Sequence, residues 1–393
     1  MHILVVATKS PWPPIDGGRL VLLNTLDALS AAGHEITLVA PVDVHLPHVG
    51  IVRQKLEERC RAHLVAAERR GLFRSLLLSQ ISRRPLTIVR HTFGPVQRRV
   101  RQLLERHHFD VIHVEQQQAL HAAEPALRAG IPAVVRAHNV EHLLWEFASD
   151  FRRRALRWGF RREARRLARW EGRCVRSAAA TVALTAVDAR HLRRIAGPEA
   201  RVEVVEASFC ADLTPGPKQN EGSPVVAVLA SGSWIPNRDA IWRFAERTWP
   251  QVLATLPDAC LHVFGIEQPE QQNPAVRWHP PPDESATAFP ADAIFIVPAR
   301  HPTGVPMKCL EAWARGLPVV ASPEAAEQLA ARDGEELMVA SSAADVAAAV
   351  RRIVCEPDLR ARLTAEGRRA LRTRHDPGRG ATRLEAVYRA AVS

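Results

Sequence analysis

The 393-residue sequence predicts two doubly wound α/β domains in tandem. Three observations lead there. Short runs of Val, Ile, Leu and Ala alternate with longer stretches of helical periodicity, the pattern of a parallel sheet buried on both faces. A polar stretch rich in turn residues, 215–224, interrupts this alternation, which then restarts. The length suits two cores of roughly 150–200 residues each.

The first domain is read as 1–207. Its opening run, 2–7, is a strand, and 20–33 is a helix that stops on Gly33, a residue suited to the left-handed turn that ends helices. Runs at 35–40, 111–114, 133–137 and 181–185 are further strands, and 201–205 closes the half. Residues 208–224 form the linker, and the second domain is 225–376. It opens with a strand at 225–230 and one helix at 238–255, then has strands at 260–264, 293–297 and 318–321. Helices are expected at 307–315, 343–355 and 359–372, and a last one at 384–392 is set apart by Pro377 and Gly378. Ligands of such sheets bind beyond the carboxyl ends of the strands, so a ligand shared by both domains is expected in a cleft between them.

Apolar residues make up 47% of the chain, enough for two packed interiors. Cys60, Cys174, Cys210, Cys260, Cys309 and Cys355 are scattered without a Cys-x-x-Cys pair, which suits a reduced cytoplasm. The apolar start is short, lacks a basic leader and soon meets Pro11, Pro13 and Pro14, so it reads neither as a signal peptide nor as a span. No later run reaches about eighteen apolar residues. The expectation is a cytoplasmic protein, at most peripheral at the inner face of the membrane.

The net charge is +11, and only four of the 53 basic residues are lysine. Between Arg152 and Arg176 eleven arginines meet two acids, Glu163 and Glu171. Leu156, Phe160, Ala164, Leu167 and Trp170 recur there at helical spacing, which makes an amphipathic helix. It is either a solvated arginine face over a buried stripe or a surface for anionic lipid or a phosphorylated acceptor. No nucleic-acid motif accompanies the charge, so no nucleic-acid partner is expected.

The chemistry is sought at strand exits. No Gly-x-Gly-x-x-Gly follows the first strand and no phosphate-loop lysine occurs, which argues against dehydrogenases and P-loop kinases. His107, His108, His113, His121, His138 and His142 lack companions at metal-ligand spacing, so no metal is expected. After the first strand, a proline-stiffened loop reaches Asp16, Gly17 and Gly18 just before a helix. Glycines there admit a ligand to the backbone, and a helix start offers N–H groups to an anion; a plain turn is the alternative. Segment 304–322 says more: a small-residue loop, a short helix stopped by Gly316, then a buried strand. Lys308 and Glu311 are three apart and share a helical face. A cation near the helix start suits phosphate, and a carboxylate one turn on suits ribose hydroxyls. The alternative is a surface ion pair.

Segment 304–322 resembles the donor-binding signature of the retaining glycosyltransferases of family 4, which have the GT-B fold: two Rossmann-like domains facing across a cleft. The likeness extends over nearly the whole chain. It includes Asp16-Gly17-Gly18, segments 32–38 and 109–115, Arg136-Ala137-His138-Asn139-Val140-Glu141, and the turn 232–240. The resemblance implies that Glu311 binds the ribose and that Lys308 holds the diphosphate, helped by the Gly17 and Gly18 backbone and by Arg238. Gly232, Thr303, Gly304 and Val305 complete the donor contacts, and His138 sits by the transferred sugar as the catalytic-side residue. Asp16, Glu115 and Asn139 are assigned to the acceptor side. Segment 377–393 is expected to cross back to the first domain. One position departs from the family: eight residues before Glu311, where a glutamate is frequent, stands Thr303.

The implied activity is transfer of a sugar from a UDP- or GDP-sugar to a sugar, lipid-linked or small-molecule acceptor. It proceeds with retention, without metal or cofactor, in cell-surface polysaccharide or glycolipid synthesis. The competing readings are a nucleotide-sugar epimerase, a non-catalytic nucleotide-binding or scaffold protein that kept the fold, and a membrane or nucleic-acid adaptor.

Overall fold

The computed structural model describes every residue except 44–48, 69, 153, 220–221, 231–234, 268–272 and 299–302. The chain divides into two compact units: Met1–Ser208 with Pro377–Ser393, and Phe209–Asp376. Each is built on one parallel sheet.

The first unit contains β1 (His2–Ala7), β2 (Glu35–Val42), β3 (Arg61–Ala66), β4 (Val111–Glu115), β5 (Ala133–Ala137), β6 (Ala180–Ala183) and β7 (Val202–Val204). They lie side by side in the order β3-β2-β1-β4-β5-β6-β7. β1 is central and in register with both neighbours, Ile3 opposite Ile36 and Val111. Because strand side chains alternate between faces, Ile3 and Val5 pack with Leu22, Leu26 and Leu29, while Leu4 and Val6 pack with Val96, Val100 and Ala123. Both faces are covered, which is why the run reads as continuously apolar. The final helix, Pro377–Val392, adds Ala381, Leu384, Val387 and Tyr388 to the first of these faces.

The second unit contains β8 (Val225–Leu229), β9 (Cys260–Phe264), β10 (Val276–His279), β11 (Ala293–Val297), β12 (Val319–Ala321) and β13 (Met338–Val339), in the order β10-β9-β8-β11-β12-β13. Its core is centred on Val226, Val228, Leu261, Val263, Ile294 and Trp249. In both sheets the order reverses once, between β1 and β4 and between β8 and β11. Beyond the carboxyl ends of those strands a ligand finds its crevice.

Several elements differ from the sequence expectation. The edge strands β3, β10 and β13 went unread because they are short or half-exposed and give no apolar run. The single helix expected over 238–255 is broken: Ile235–Arg243 is followed by a π-turn, Phe244–Thr248, and a new helix, Trp249–Thr255. Pro250 stands at that restart; lacking an N–H, it cannot continue the hydrogen-bond ladder. The last helix begins at Pro377 rather than 384, since proline is tolerated in a first turn. In the arginine-rich helix Arg154–Ser177, Ala164 and Leu167 are buried, but Leu156, expected in the same stripe, is 56% exposed. Among the described residues no helix is long and apolar enough to cross a membrane.

Candidate functional site

In the first unit the carboxyl ends of β1, β4 and β5 bring three segments together. β1 leads into Thr8 and Lys9, β4 ends on Glu115 and leads into Gln116, and β5 leads into His138. Thr8 Oγ1 donates to Gln116 Oε1. Gln116 Nε2 lies 3.4 Å from His138 Nδ1. Glu115 accepts from His138 Nε2 and, at 2.5 Å, from His113 Nε2. The hydroxyl of Tyr388, on the final helix, is 2.6 Å from His113 Nδ1.

This network assigns the protons. The Glu115 carboxylate can only accept, so His113 carries a proton on Nε2 towards it, while the Tyr388 hydroxyl meets the other ring nitrogen. The Gln116 amide donates to Nδ1 of His138, which therefore also carries its proton on Nε2. Glu115 receives one N–H donor from each of the two rings. Burial opposes its charge, but His138, the two hydrogen bonds and Arg136 together hold the carboxyl well below its usual range. Glu115 is thus committed to the two histidines.

The helix Gly17–Ala31 starts against this cluster. A Cβ on Gly18 would lie 3.2 Å from Gln116 Nε2 and 3.3 Å from both His138 Nδ1 and Lys9 Nζ. Asp16 caps the helix, its Oδ1 accepting from the Arg19 amide at 3.0 Å and from Lys9 Nζ at 2.6 Å. Burial opposes the Asp16 charge as well, yet Lys9 and Arg19 keep its carboxyl below the usual value. Gln116 has φ 67, a left-handed conformation that costs a non-glycine residue about 1–3 kcal/mol. Glutamine carries no recognised signal in sequence, so Gln116 was missed, and so were Thr8 and Lys9.

Asn139 and Gln118 hydrogen-bond the half-buried carboxyl of Glu141, which is pushed up to about 7, first by burial and then by Glu171. Glu171 caps the helix Glu141–Asp150, accepting from the amides of Glu141 at 2.7 Å and His142 at 3.0 Å and lying 2.7 Å from the His142 ring. His142 is therefore occupied here and not beside His138.

In the second unit the exit of β8 passes through 231–234, so Gly232 lies outside the described residues. Arg238 is exposed and its guanidinium lies 5.0 Å over the Trp242 ring. After β11, Thr303 is buried, Gly304 has φ 85, and Val305 is half-buried just before the helix Met307–Ala314. Lys308, in the first turn, is half-buried; burial lowers its ammonium to about 8, and among the described residues no carboxylate pairs with it. Glu311, one turn on, pairs instead with Arg315: Oε1 accepts from Nη2 at 2.8 Å and from Nε at 3.1 Å. Ser285 Oγ donates to the same oxygen at 2.5 Å. Three donors on Oε1 fix the carboxylate. Arg315 is itself held by the Thr214 carbonyl and the Phe289 ring. Its i,i+4 spacing from Glu311 was a signal the sequence reading left unused. Among the described residues no three His, Cys, Asp or Glu side chains converge as a metal site.

Residues 16–207 match the family described as "Glycosyl transferase 4-like domain", and residues 225–356 match "Glycosyl transferases group 1". A Klebsiella pneumoniae protein described as an uncharacterized 44.6 kDa protein in the cps region is 26% identical over 139 residues, 35% of this chain and 34% of that protein. Among solved structures, sucrose-phosphate synthase from Thermosynechococcus elongatus superimposes with a TM-score of 0.71 at 16% identity, over 99% of this chain and 98% of the other. Anabaena HepE in complex with UDP-glucose gives a TM-score of 0.64 at 16% identity, over 98% of each chain. Identities this low speak for the fold, and the fold is GT-B, as the motif resemblance implied. With one family match on each of the two parallel-sheet units, the chain belongs to the group 1, GT4-like glycosyltransferases.

Proposed function

We propose that the chain transfers a sugar from a UDP- or GDP-sugar to an acceptor hydroxyl, in the cytoplasm, with retention and without a metal. The observation that carries this reading is the pair on the helix Met307–Ala314: a half-buried ammonium without a carboxylate partner among the described residues, and a carboxylate held by Arg315 and Ser285. A buried ammonium is costly unless paired, and a diphosphate supplies the counter-charge. Glu311 Oε2 then accepts from the ribose. Breaking the sugar–phosphate bond builds negative charge on the leaving diphosphate, and a cation already in place lowers that barrier. The departing phosphate oxygen takes the acceptor proton, so no protein nucleophile is needed.

In this reading Arg238, Gly232, Thr303, Gly304, Val305 and the Gly17–Gly18 backbone complete the donor contacts, and His138 meets the transferred sugar. Asp16 and Asn139 belong to the acceptor side. Glu115, given its two histidine partners, acts by orienting His138. The UDP-glucose held by Anabaena HepE supports a UDP-sugar, and the cps-region relative supports cell-surface polysaccharide as the product. The arginine-rich helix adds, by charge alone, a peripheral contact with anionic lipid. Thr303, buried where relatives often carry glutamate, favours as second reading a nucleotide-binding scaffold without turnover.

Calorimetric titration with UDP, GDP, ADP and dTDP tests the proposal on the wild type, Lys308→Ala and Glu311→Ala. One nucleotide should bind near micromolar affinity, about 8 kcal/mol, and both variants should lose it. Because the ammonium sits near 8 in the free protein, affinity should weaken as pH rises through that value. A folded wild type that binds no nucleotide overturns the proposal. Binding without sugar transfer to any glycan acceptor selects the scaffold.

A further inference from the structure

The helix Leu72–Ser82 is turned inside out. Its buried residues are Ser75 and Ser79, while Phe73 is 84% exposed, Ile81 71%, Leu72 56%, Leu77 55% and Leu76 43%. The inward polar face is well satisfied: Ser79 Oγ donates to the Arg84 carbonyl at 2.7 Å, and Ser75 Oγ to the Arg70 carbonyl at 3.3 Å. Arg166 donates to Ser79 Oγ at 3.0 Å and to the Ser79 and Arg84 carbonyls at 2.8 and 2.7 Å. Phe73, Leu77 and Ile81 follow one another at intervals of four, and Leu72 and Leu76 do the same beside them, so the outward side is one apolar stripe. A stripe of this kind on a soluble surface marks a place where something docks.

Charge identifies what docks. The helix Arg154–Ser177, to which Arg166 ties this stripe, carries only two acids, and both are turned inward. Glu163 takes the Leu86 amide and Arg166, and Glu171 caps the helix Glu141–Asp150. Its outward face carries Arg154, Arg161, Arg162, Arg165, Arg169 and Arg173, of which Arg161 lies 3.7 Å from Asp150, beside Trp158 at 71% and Leu156 at 56% exposure. Arg162 bridges the two helices, 3.3 Å from Gln80 Oε1 and 6.0 Å over the Trp158 ring. Between residues 71 and 84 there is no Asp or Glu, and Arg74 and Arg83 are exposed.

We propose that the helix Leu72–Ser82 and the outward face of Arg154–Ser177 form one docking surface for an anionic phospholipid bilayer. Phe73, Leu77 and Ile81 enter the acyl boundary, and the arginines meet headgroup phosphates. This deepens the lipid contact read above from charge alone: it adds the element that inserts and the chemistry of the surface it meets. A second copy of the chain is a poor occupant, because a symmetric contact would set arginine face against arginine face.

Co-sedimentation of the full chain with vesicles tests this, comparing phosphatidylcholine alone with phosphatidylcholine containing phosphatidylglycerol. The wild type should sediment with the anionic vesicles only, and less at high salt. The double variants Phe73→Ser/Ile81→Ser and Arg161→Ala/Arg165→Ala should each lower vesicle partitioning by about tenfold or more. All four positions are exposed, so folding should persist, and an unchanged melting transition of the first unit confirms it. Nucleotide titration separates failure here from failure of the transferase reading. A wild type that ignores anionic vesicles overturns the proposal, as does a Phe73→Ser/Ile81→Ser variant that binds them equally well. A dimer that this variant dissolves, without vesicle binding, makes the stripe a self-association face and overturns it too.

Discussion

Glu115 shows how single residues act in the first unit. Both its oxygens are taken by histidine N–H groups, and through His113 it reaches Tyr388 on the final helix. Replacing it with glutamine sets an NH2 against one ring N–H, which leaves buried donors unpaired at a cost of about 1–3 kcal/mol. Its native carboxyl is held below the ordinary 4.5. Its charge therefore contributes stability that is complete above that value and is lost as pH falls towards the depressed one. Glu115→Gln should accordingly be less stable than the wild type near neutrality, with the gap closing in acid, as denaturant titrations at several pH values would show. Sugar transfer should fall by roughly tenfold or more because His138 loses its fixed tautomer. Nucleotide affinity, a property of the second unit in this reading, should not move. A variant with wild-type turnover would remove His138 and Glu115 from the reaction.

At the scale of the element, the helix Met307–Ala314, proposed above to bind the donor, depends on what lies behind it. Trp313 is fully buried, donates from Nε1 to the Glu336 carbonyl at 3.0 Å, and packs on Gly367 of the helix Pro357–Arg374. A Cβ at Gly367 would come within 2.4 Å of the Trp313 ring. Gly367→Ala therefore forces the two helices apart and should cost about 1–3 kcal/mol. Lys308 and Glu311 stay chemically intact but are displaced, so nucleotide affinity should drop along with the melting temperature. Calorimetry on the one variant reads both quantities, and wild-type affinity would mean that the helix position is not set by this packing.

At the scale of the whole molecule, the two units have separate cores, but the first is completed by the end of the chain. Removing 377–393 strips Leu384, Val387 and Tyr388 from one face of its sheet. At about 1.5–3 kcal/mol for each buried side chain, this approaches the stability of an ordinary domain. Scanning calorimetry of a chain ending at Asp376 should lose the first unit's transition and keep the second's, which nucleotide then raises. Loss of both transitions together would show that the second unit does not fold by itself.

The central strands and the helix Met307–Ala314 were legible in the sequence because their signals are local. Strands buried on both faces read as near-continuous apolar runs, as 3–7 and 293–297 do, and a glycine such as Gly316 marks the end of a helix. The motif order across the chain added the fold and the family. The partnerships of the polar groups were decided only by tertiary structure. Tyr388 and His113 are 275 residues apart, and no periodicity links them. Glu311 pairs with Arg315 rather than Lys308 because Ser285, Thr214 and Phe289 converge there from other elements. The helix Leu72–Ser82 has an amphipathic pattern that reads the same whichever side is buried. Its orientation follows from Arg166, 87 residues away, which draws Ser79 inward. Hydrophobic pattern is carried by neighbours along the chain, whereas hydrogen bonds and ion pairs are made by whatever the fold brings within about 3 Å.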